Sequence, residues 1–201
     1  MKILLFSVII ALMMPPLIFA DETAAVKKDA QQRINAVIDH IRDKSLDKKT
    51  RNEKIIAAIA PMFDFSQMAK LSMGKKNWSL MNPAQRQEFI DLFSVRLQES
   101  YLEKLDLYTD EEVVVDQAEL VKNRIHVSSH LVAKDDKIEM IYKFFKKKNQ
   151  DWKVYDVEIM GVSIVQTYRS QFAGILKNQS IEDLLQRLRQ TGGFTVPTGN
   201  Y

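Results

Sequence analysis

Residues 152–176 read WKVYDVEIMGVSIVQTYRSQFAGIL, and this stretch decides the fold. From Trp152 to Ile159 both alternating sets of positions carry apolar residues, Val154 in one and Tyr155 in the other, the pattern of a well-buried strand. Gly161 breaks that period. Beyond it Ile164, Val165, Tyr168, Phe172, Ile175 and Leu176 fall on a single stripe of an amphipathic helix. A core strand therefore turns through Gly161 into a helix that lies back on the sheet. Its residues are large, apolar and aromatic, and nothing among them resembles a catalytic elbow.

Working outward, the period stays at two as far back as Tyr108. Residues 111–118, 124–133, 137–146 and 151–159 read as four strands. The links Asp135-Asp136 and Lys147–Gln150 are short, so the last three strands are antiparallel hairpin neighbours. Upstream the period is helical. Val26, Ala30, Ile34, Val37, Ile38 and Ile41 form one stripe, and Thr50 with Glu53 makes a capping box for a helix carrying Ile55, Ile56 and Ile59 and ended by Pro61. Asp64 with Gln67 starts a shorter helix that Gly74 closes. Asn82, Pro83 and Gln85 open a long one that turns Phe89, Leu92, Phe93, Leu97, Tyr101 and Leu105 inward and runs to about Leu107. Downstream, Ser180 and Asp183 cap a last helix with Leu184, Leu185 and Leu188, stopped by Gly192-Gly193. The expected fold class is α+β: a helical N-terminal half packed on a roughly four-stranded antiparallel sheet, followed by C-terminal helices.

With 201 residues, 46% of them apolar, the chain fits one domain with a sizeable core, expected over residues 21–193 with a loose tail at 194–201. Residues 1–20 read as a secretory signal: Lys2, an apolar run from Ile3 to Leu12, the Pro15-Pro16 break and Ala20 before Asp21. The alternative is a retained anchor, but the run is short for a membrane span. No later stretch is apolar enough to cross a bilayer, so the mature chain is expected to be soluble. There is no cysteine, which excludes disulfides, thiol chemistry and a lipid-modified N-terminal cysteine. The net charge of +3 loses only Lys2 with the signal, too mild a balance for a nucleic-acid partner.

Chemistry-bearing patterns are few. No glycine-rich phosphate loop is present. His126 and His130 share a strand face but stand about 13 Å apart, too far for one metal ion without help from His40 or carboxylates. No metal or cofactor is expected, and the two histidines with Ser128 read as a polar sheet face. Asp156 interrupts an apolar strand. A buried carboxylate there could act as a base, as in cone-shaped α+β isomerases or hydrolases, or it could pair with Arg169 or hold a backbone amide. Lys143, Lys146, Lys147, Lys148 and Lys153 form a basic cluster, suited either to anionic headgroups and acidic partners or to a solvated hairpin end.

Three ordered blocks carry a family resemblance. WKVYDV, GVS and YRSQF follow one another from Trp152; MAKL at residues 68–71 precedes Gly74, Trp78, PAQR at 83–86 and Phe89; Ser100-Tyr101 precedes Tyr108. Together they span roughly residues 55–190, and the chain resembles the MlaC family, also called the toluene-tolerance family of periplasmic phospholipid carriers. The resemblance implies a non-enzymatic carrier in the periplasm, an apolar pocket within the α+β fold and a glycerophospholipid as cargo. It also implies partners: an inner-membrane ABC lipid transporter with a ring-forming lipid-binding subunit, and an outer-membrane lipoprotein–porin complex. A monomer is expected.

A pocket has an obvious place. Ile125, Val127 and Leu131 share a face of one strand, Met140, Tyr142 and Phe144 of the next, and Tyr155, Val157 and Ile159 of the last. Ile164, Val165, Tyr168, Phe172 and Leu176 stand above them on the helix. Periodicity alone favours a core here; the resemblance turns these residues into candidate lining. Met62, Met68, Met73, Met81, Met140 and Met160 would suit a pliable lining or fill gaps. Lys143, Lys146 and Lys153 are the candidates for headgroup or partner contact. An enzyme using Asp156 and an adaptor with a filled core are the rival readings.

Overall fold

The computed structural model describes residues 17–105, 112–132, 137–148 and 150–190, with side chains from residue 21 onward. Of the expected leader only Leu17–Ala20 falls within this range, as helix; residues 1–16 and the 194–201 tail lie outside the described residues.

Among the described residues the sheet is a five-stranded antiparallel meander in chain order: β1 (Glu112–Val121), β2 (Arg124–Val132), β3 (Lys137–Lys146), β4 (Trp152–Ile159) and β5 (Val162–Ser163). Four strands were legible; the fifth comes from a tight turn. Met160 and Gly161 take φ of 48° and 78°, which returns the chain for two residues, Val162 opposite Ile159 and Ser163 opposite Glu158. Strand β1 runs three residues past its expected end at Ala118, because it continues to a hairpin turn with Lys122 at φ 60°. That turn carries none of the glycine that usually betrays such a position.

One irregularity decides which residues face inward. Between β3 and β4 the register jumps: Lys143 stands opposite Asp156, but Phe144 stands opposite Val154. Tyr155 is the extra residue of a β-bulge. Val154, fully buried, takes the inward position together with Val157 and Ile159. Tyr155 instead meets Phe145, with ring centroids 5.7 Å apart, and the Arg124 guanidinium at 5.2 Å, on the opposite face. Its expected place beside Val157 is therefore corrected, since strict alternation cannot see a bulge.

The helices are α1 (Leu17–Arg42), α2 (Lys48–Ile59), α3 (Phe65–Leu80), α4 (Pro83–Leu105), α5 (Ile164–Ile175) and α6 (Ile181–Arg189), with a 3-10 turn at Ala60–Met62. Helix α1 lies along β1 and β2, held at one point by Lys27 Nζ donating to the Asp116 carbonyl at 2.6 Å. Helices α3 and α5 pack together and on β4, and α4 packs on α3 and α6. The expected stripe of α1 is inward: Val26, Ala30, Ile34 and Ile41 are buried.

Three of the four expected caps are present: Asp64 accepts from the Gln67 amide at 2.8 Å, Asn82 and Gln85 bond each other's amides, and Ser180 with Asp183 forms a full capping box. Helix α5 is capped as well, by Ser163 accepting from the Gln166 amide at 3.1 Å. The exception is α2, where Asp47 is the cap and Thr50 the residue whose amide it satisfies at 3.0 Å. Asp47 lies three residues earlier and its carboxylate takes both the Thr50 amide and hydroxyl, so the cap moves upstream. Gly74 interrupts α3 and does not close it. At φ 74°, ψ 155° it occupies a region open almost only to glycine, and a Cβ there would sit 3.2 Å from Arg169 Nε on α5. Glycine thus lets α3 and α5 approach closely.

The centre of the core is aromatic. Phe89 and Phe93 of α4 meet Tyr168 and Phe172 of α5, with edge contacts of 5.4 Å for Phe89–Phe172 and 5.2 Å for Phe93–Tyr168. Each such buried ring contributes about 1.5–3 kcal/mol from area alone. Leu184, Leu185 and Leu188 of α6 are buried beneath them, and Arg96 ties α6 down by donating to the Leu188 carbonyl at 2.8 Å.

Candidate functional site

The inward face of the sheet is built of rungs that cross the strands, and their surroundings change from one end to the other. The first rung is Leu120, Ile125, Phe144 and Val154; the last three are at 0%, 1% and 0% exposure, while Leu120, on the edge strand β1, is 40% exposed. The second is Val127, Tyr142 and Val157, with Tyr142 half-buried. The third is Val115, Ser129, Met140 and Ile159, and the last two are half-buried. The fourth is Val113, Leu131 and Ile138, of which Val113 and Ile138 are half-buried. The contrast is plainest along β3, where Phe144 is sealed and Tyr142, Met140 and Ile138 are half-buried. At that open end lie exposed apolar residues, Val132 at 47%, Met160 at 46% and Val162 at 47%.

The expected lining therefore divides. Ile125, Val127, Phe144, Val165, Tyr168 and Phe172 belong to the packed core, and Val157 and Ile164 join it at its margin. Tyr142, Ile159 and Leu176 are half-buried and pack against that core. Met140 is half-buried and Leu131, though buried, stands apart from the main cluster, both at the open end. Tyr155 is on the other face. Ile138 and Ser129 share this inward face without having been expected there, Ile138 because it precedes the Met140–Phe144 set on β3 and Ser129 because a hydroxyl interrupts the apolar alternation. Of the six methionines, Met62, Met68, Met73 and Met81 are buried gap-fillers in the helical half and Met160 is in the exposed turn, which leaves Met140 on the inward face.

Polar atoms on this face are few. Ser129 is buried with no well-formed hydrogen bond to its Oγ. The Tyr142 hydroxyl donates only weakly, to Met140 Sδ at 3.8 Å. Burial raises the Tyr142 phenol above its ordinary pKa, and the neighbouring Ser129 hydroxyl offsets part of that rise. Burial likewise pushes Tyr168 up to about 12, with Ser100 opposing it.

The opposite face carries the charges. His126, Lys143 and Asp156 form one rung across β2, β3 and β4. Asp156 is buried and committed: Oδ1 accepts from the Val165 amide at 3.1 Å, and Oδ2 accepts from Ser163 Oγ at 2.7 Å and faces Lys143 Nζ at 3.5 Å. It holds the first turn of α5, as one of the two structural alternatives required. The other is corrected, because Arg169 lies against Gly74, on the α3 side. Burial opposes the Lys143 ammonium, but its hydrogen bond to Glu158 and the charge of Asp156 outweigh that and raise its pKa. His126 titrates lower than usual, chiefly from burial and then from Lys143. His130 bonds Asp116 Oδ2 at 2.9 Å. Among the described residues no group of three acids or histidines is placed to hold a metal.

The basic cluster is neither a free patch nor a simple solvated end. Lys143 pairs with Glu158, Lys146 with Glu22, Lys147 with Asp64 at 2.6 Å, and Lys153 donates to the Pro61 carbonyl at 2.7 Å. These bonds staple the β3–β4 hairpin to α1 and to the start of α3. Beside them an open groove of about 560 Å³ is bordered by Phe63, Asp64, Phe65, Gln150, Asp151 and Lys153. It touches none of the expected apolar lining.

A family model described as MlaC protein matches residues 31–190. The chain belongs to the MlaC family. Its fold is that of a solved relative: the phospholipid-binding protein from Ralstonia solanacearum, determined in complex with a phospholipid, superimposes with a TM-score of 0.71 at 24% identity, covering 82% of this chain and 94% of that one. The intermembrane phospholipid transport system binding protein MlaC of Haemophilus influenzae is 26% identical over 118 residues, 56% of this chain and 55% of its own length. The chain thus spans about half the length of the curated relative it matches. Membership of the MlaC family agrees with the helix-and-meander architecture. Among the described residues no helix is long and apolar enough to cross a membrane.

Proposed function

We propose that this MlaC-family chain is a periplasmic phospholipid carrier, exported with residues 1–20 as a cleaved signal, that shuttles glycerophospholipids between the outer and inner membranes and so maintains outer-membrane lipid asymmetry. The observation that carries the reading is the contrast along the inward face. Its sealed rung of Ile125, Phe144 and Val154 serves as floor, and the half-buried Tyr142, Met140, Ile159 and Ile138 serve as lining beneath an apolar rim. The relatives add support: one binds a phospholipid and another is named for intermembrane phospholipid transport.

Energetics favour such a device without catalysis. Each buried methylene is worth about 0.8 kcal/mol, so two acyl chains of roughly 30 carbons in all require on the order of 20 kcal/mol of shielding. A bilayer offers the same, so the carrier has only to match it. The tails lie against the lining and the headgroup stays at the Val132–Met160–Val162 rim. Donor and acceptor are an inner-membrane ABC lipid transporter with a ring-forming subunit and an outer-membrane lipoprotein–porin complex. Asp156, with both oxygens engaged in holding α5, is not free to act as a base in the rival enzymatic reading.

Native mass spectrometry of the protein purified from the periplasm tests the proposal. One glycerophospholipid per chain is expected, on a polypeptide beginning at Asp21. A lipid-free protein that takes up none from vesicles would overturn the carrier reading.

A further inference from the structure

We propose that Ser129 and Tyr142 form a hydroxyl pair that hydrogen-bonds the ester carbonyls of a diacyl lipid, so that the site distinguishes ester-linked from ether-linked chains. The inference rests on the carrier reading and adds to it a chemical preference at a named place.

Ser129 is 2% exposed on an otherwise apolar face, and its Oγ has no well-formed hydrogen bond. A buried hydroxyl left in this state is unfavourable, and native folds seldom keep one without a purpose. Alanine would fit the same strand position. Its cross-strand partner is Met140, and Tyr142 stands one rung deeper on the same inward face of β3. The two hydroxyls are close enough for Ser129 to offset the effect of burial on the Tyr142 phenol, yet the best bond Tyr142 makes is to the Met140 sulfur at 3.8 Å. The two hydroxyls thus have little besides each other and the Met140 sulfur to bond, which leaves hydrogen-bonding capacity in one place for a ligand carbonyl.

The place matters. One rung towards the open end lie Leu131 and Ile138, and then the exposed rim; deeper lie Val127, Val157 and the sealed floor. Rungs are about 6.6 Å apart along a strand. A lipid with its phosphate at the rim and its tails inward therefore sets its glycerol esters about two rungs in, at Ser129, where the Tyr142 hydroxyl reaches back beside Met140 Sδ. A carbonyl oxygen accepts from both hydroxyls, whereas an ether oxygen is a poor acceptor and leaves them unpaired. Among the described residues of the four rungs none is charged, so none offers a charge to recognise the esters instead.

The test uses short-chain diacyl and dialkyl phosphatidylcholines of equal chain length, each displacing a fluorescent phospholipid from the delipidated full mature protein. The wild type should bind the dialkyl lipid about three- to tenfold more weakly, the range expected for losing one hydrogen bond. Ser129→Ala with Tyr142→Phe should bring that ratio close to one. Ser129→Ala alone should leave lipid-free melting unlowered, since it removes a hydroxyl that makes no well-formed bond. Equal binding of the two lipids by the wild type, or an undiminished ratio in the double variant, would overturn this inference while leaving carriage intact. Failure to bind either lipid would instead defeat the carrier reading on which it rests.

Discussion

At one end of the sheet Ile125, Phe144 and Val154 are buried to 0–1% exposure beneath the helices; at the other, Met140, Ile138 and Ile159 are half-buried beside exposed Val132 and Val162. Both ends carry the same apolar alternation, and cross-strand pairing joins them into one face. What differs is the cover. Helices α3 and α5 pack on β4, and the aromatic cluster of Phe89, Phe93, Tyr168 and Phe172 fills the space between α4 and α5. An apolar side chain is core where other side chains close over it. Where they stop, the same side chain is free to serve as the binding wall we propose.

That contrast can be broken most forcefully at the floor. Phe144→Ala should cost about 3–5 kcal/mol, because it opens a cavity where nothing can collapse to fill it. Met140→Ala, two residues away on the same face, should cost less than half as much. Chemical denaturation of the delipidated proteins checks both, and equal losses at the two positions would abolish the distinction between floor and lining.

A second, smaller effect concerns pH. Tyr168 is 1% exposed and burial pushes its phenol up to about 12, whereas the unfolded chain titrates near 10. The folded pKa is the higher one, so this contribution to stability is whole below about pH 10 and is lost as pH rises through about 12. The loss is about 2–3 kcal/mol at most. Tyr168→Phe should leave stability at pH 7 nearly unchanged and flatten the alkaline limb. Urea midpoints at pH 7 and pH 11 for both proteins give the comparison, and parallel limbs would mean that the phenol is wet and the cluster loose.

Smaller again is the anchor of α5. Asp156→Asn should lower stability by about 1–2 kcal/mol, since the Val165 amide, Ser163 Oγ and Lys143 lose their charged acceptor. Lipid bound per folded molecule should stay the same. Thermal melting and lipid analysis together check this; unchanged stability with loss of some turnover would revive the enzymatic alternative.

Most of this architecture was legible because local signals agreed: helical stripes on α1 and α4, caps at Asp64, Asn82 and Ser180, and period two from β1 to β4. The failures share a cause. Tyr155 leaves the inward face through a one-residue bulge, and β5 exists only because Met160 and Gly161 turn the chain back. Neither event leaves a periodic trace. The pairing of the lysine cluster was illegible for a different reason, since its partners Glu22, Asp64 and the Pro61 carbonyl are distant in sequence. The apolar face was legible and the depth of burial along it was not, because that depends on which helices pack over each strand, α1 over β1 and β2 and α3 and α5 over β4, which no strand pattern encodes.

The most direct test of the account is Met140→Trp. A bulky ring in a closed core costs about 1–3 kcal/mol through overpacking. At the open end it should instead occupy the volume of a lipid tail. Thermal melting of the delipidated variant should match the wild type, while phospholipid per chain after purification should fall sharply. Lower melting with undiminished lipid would contradict the account and make Met140 part of the core.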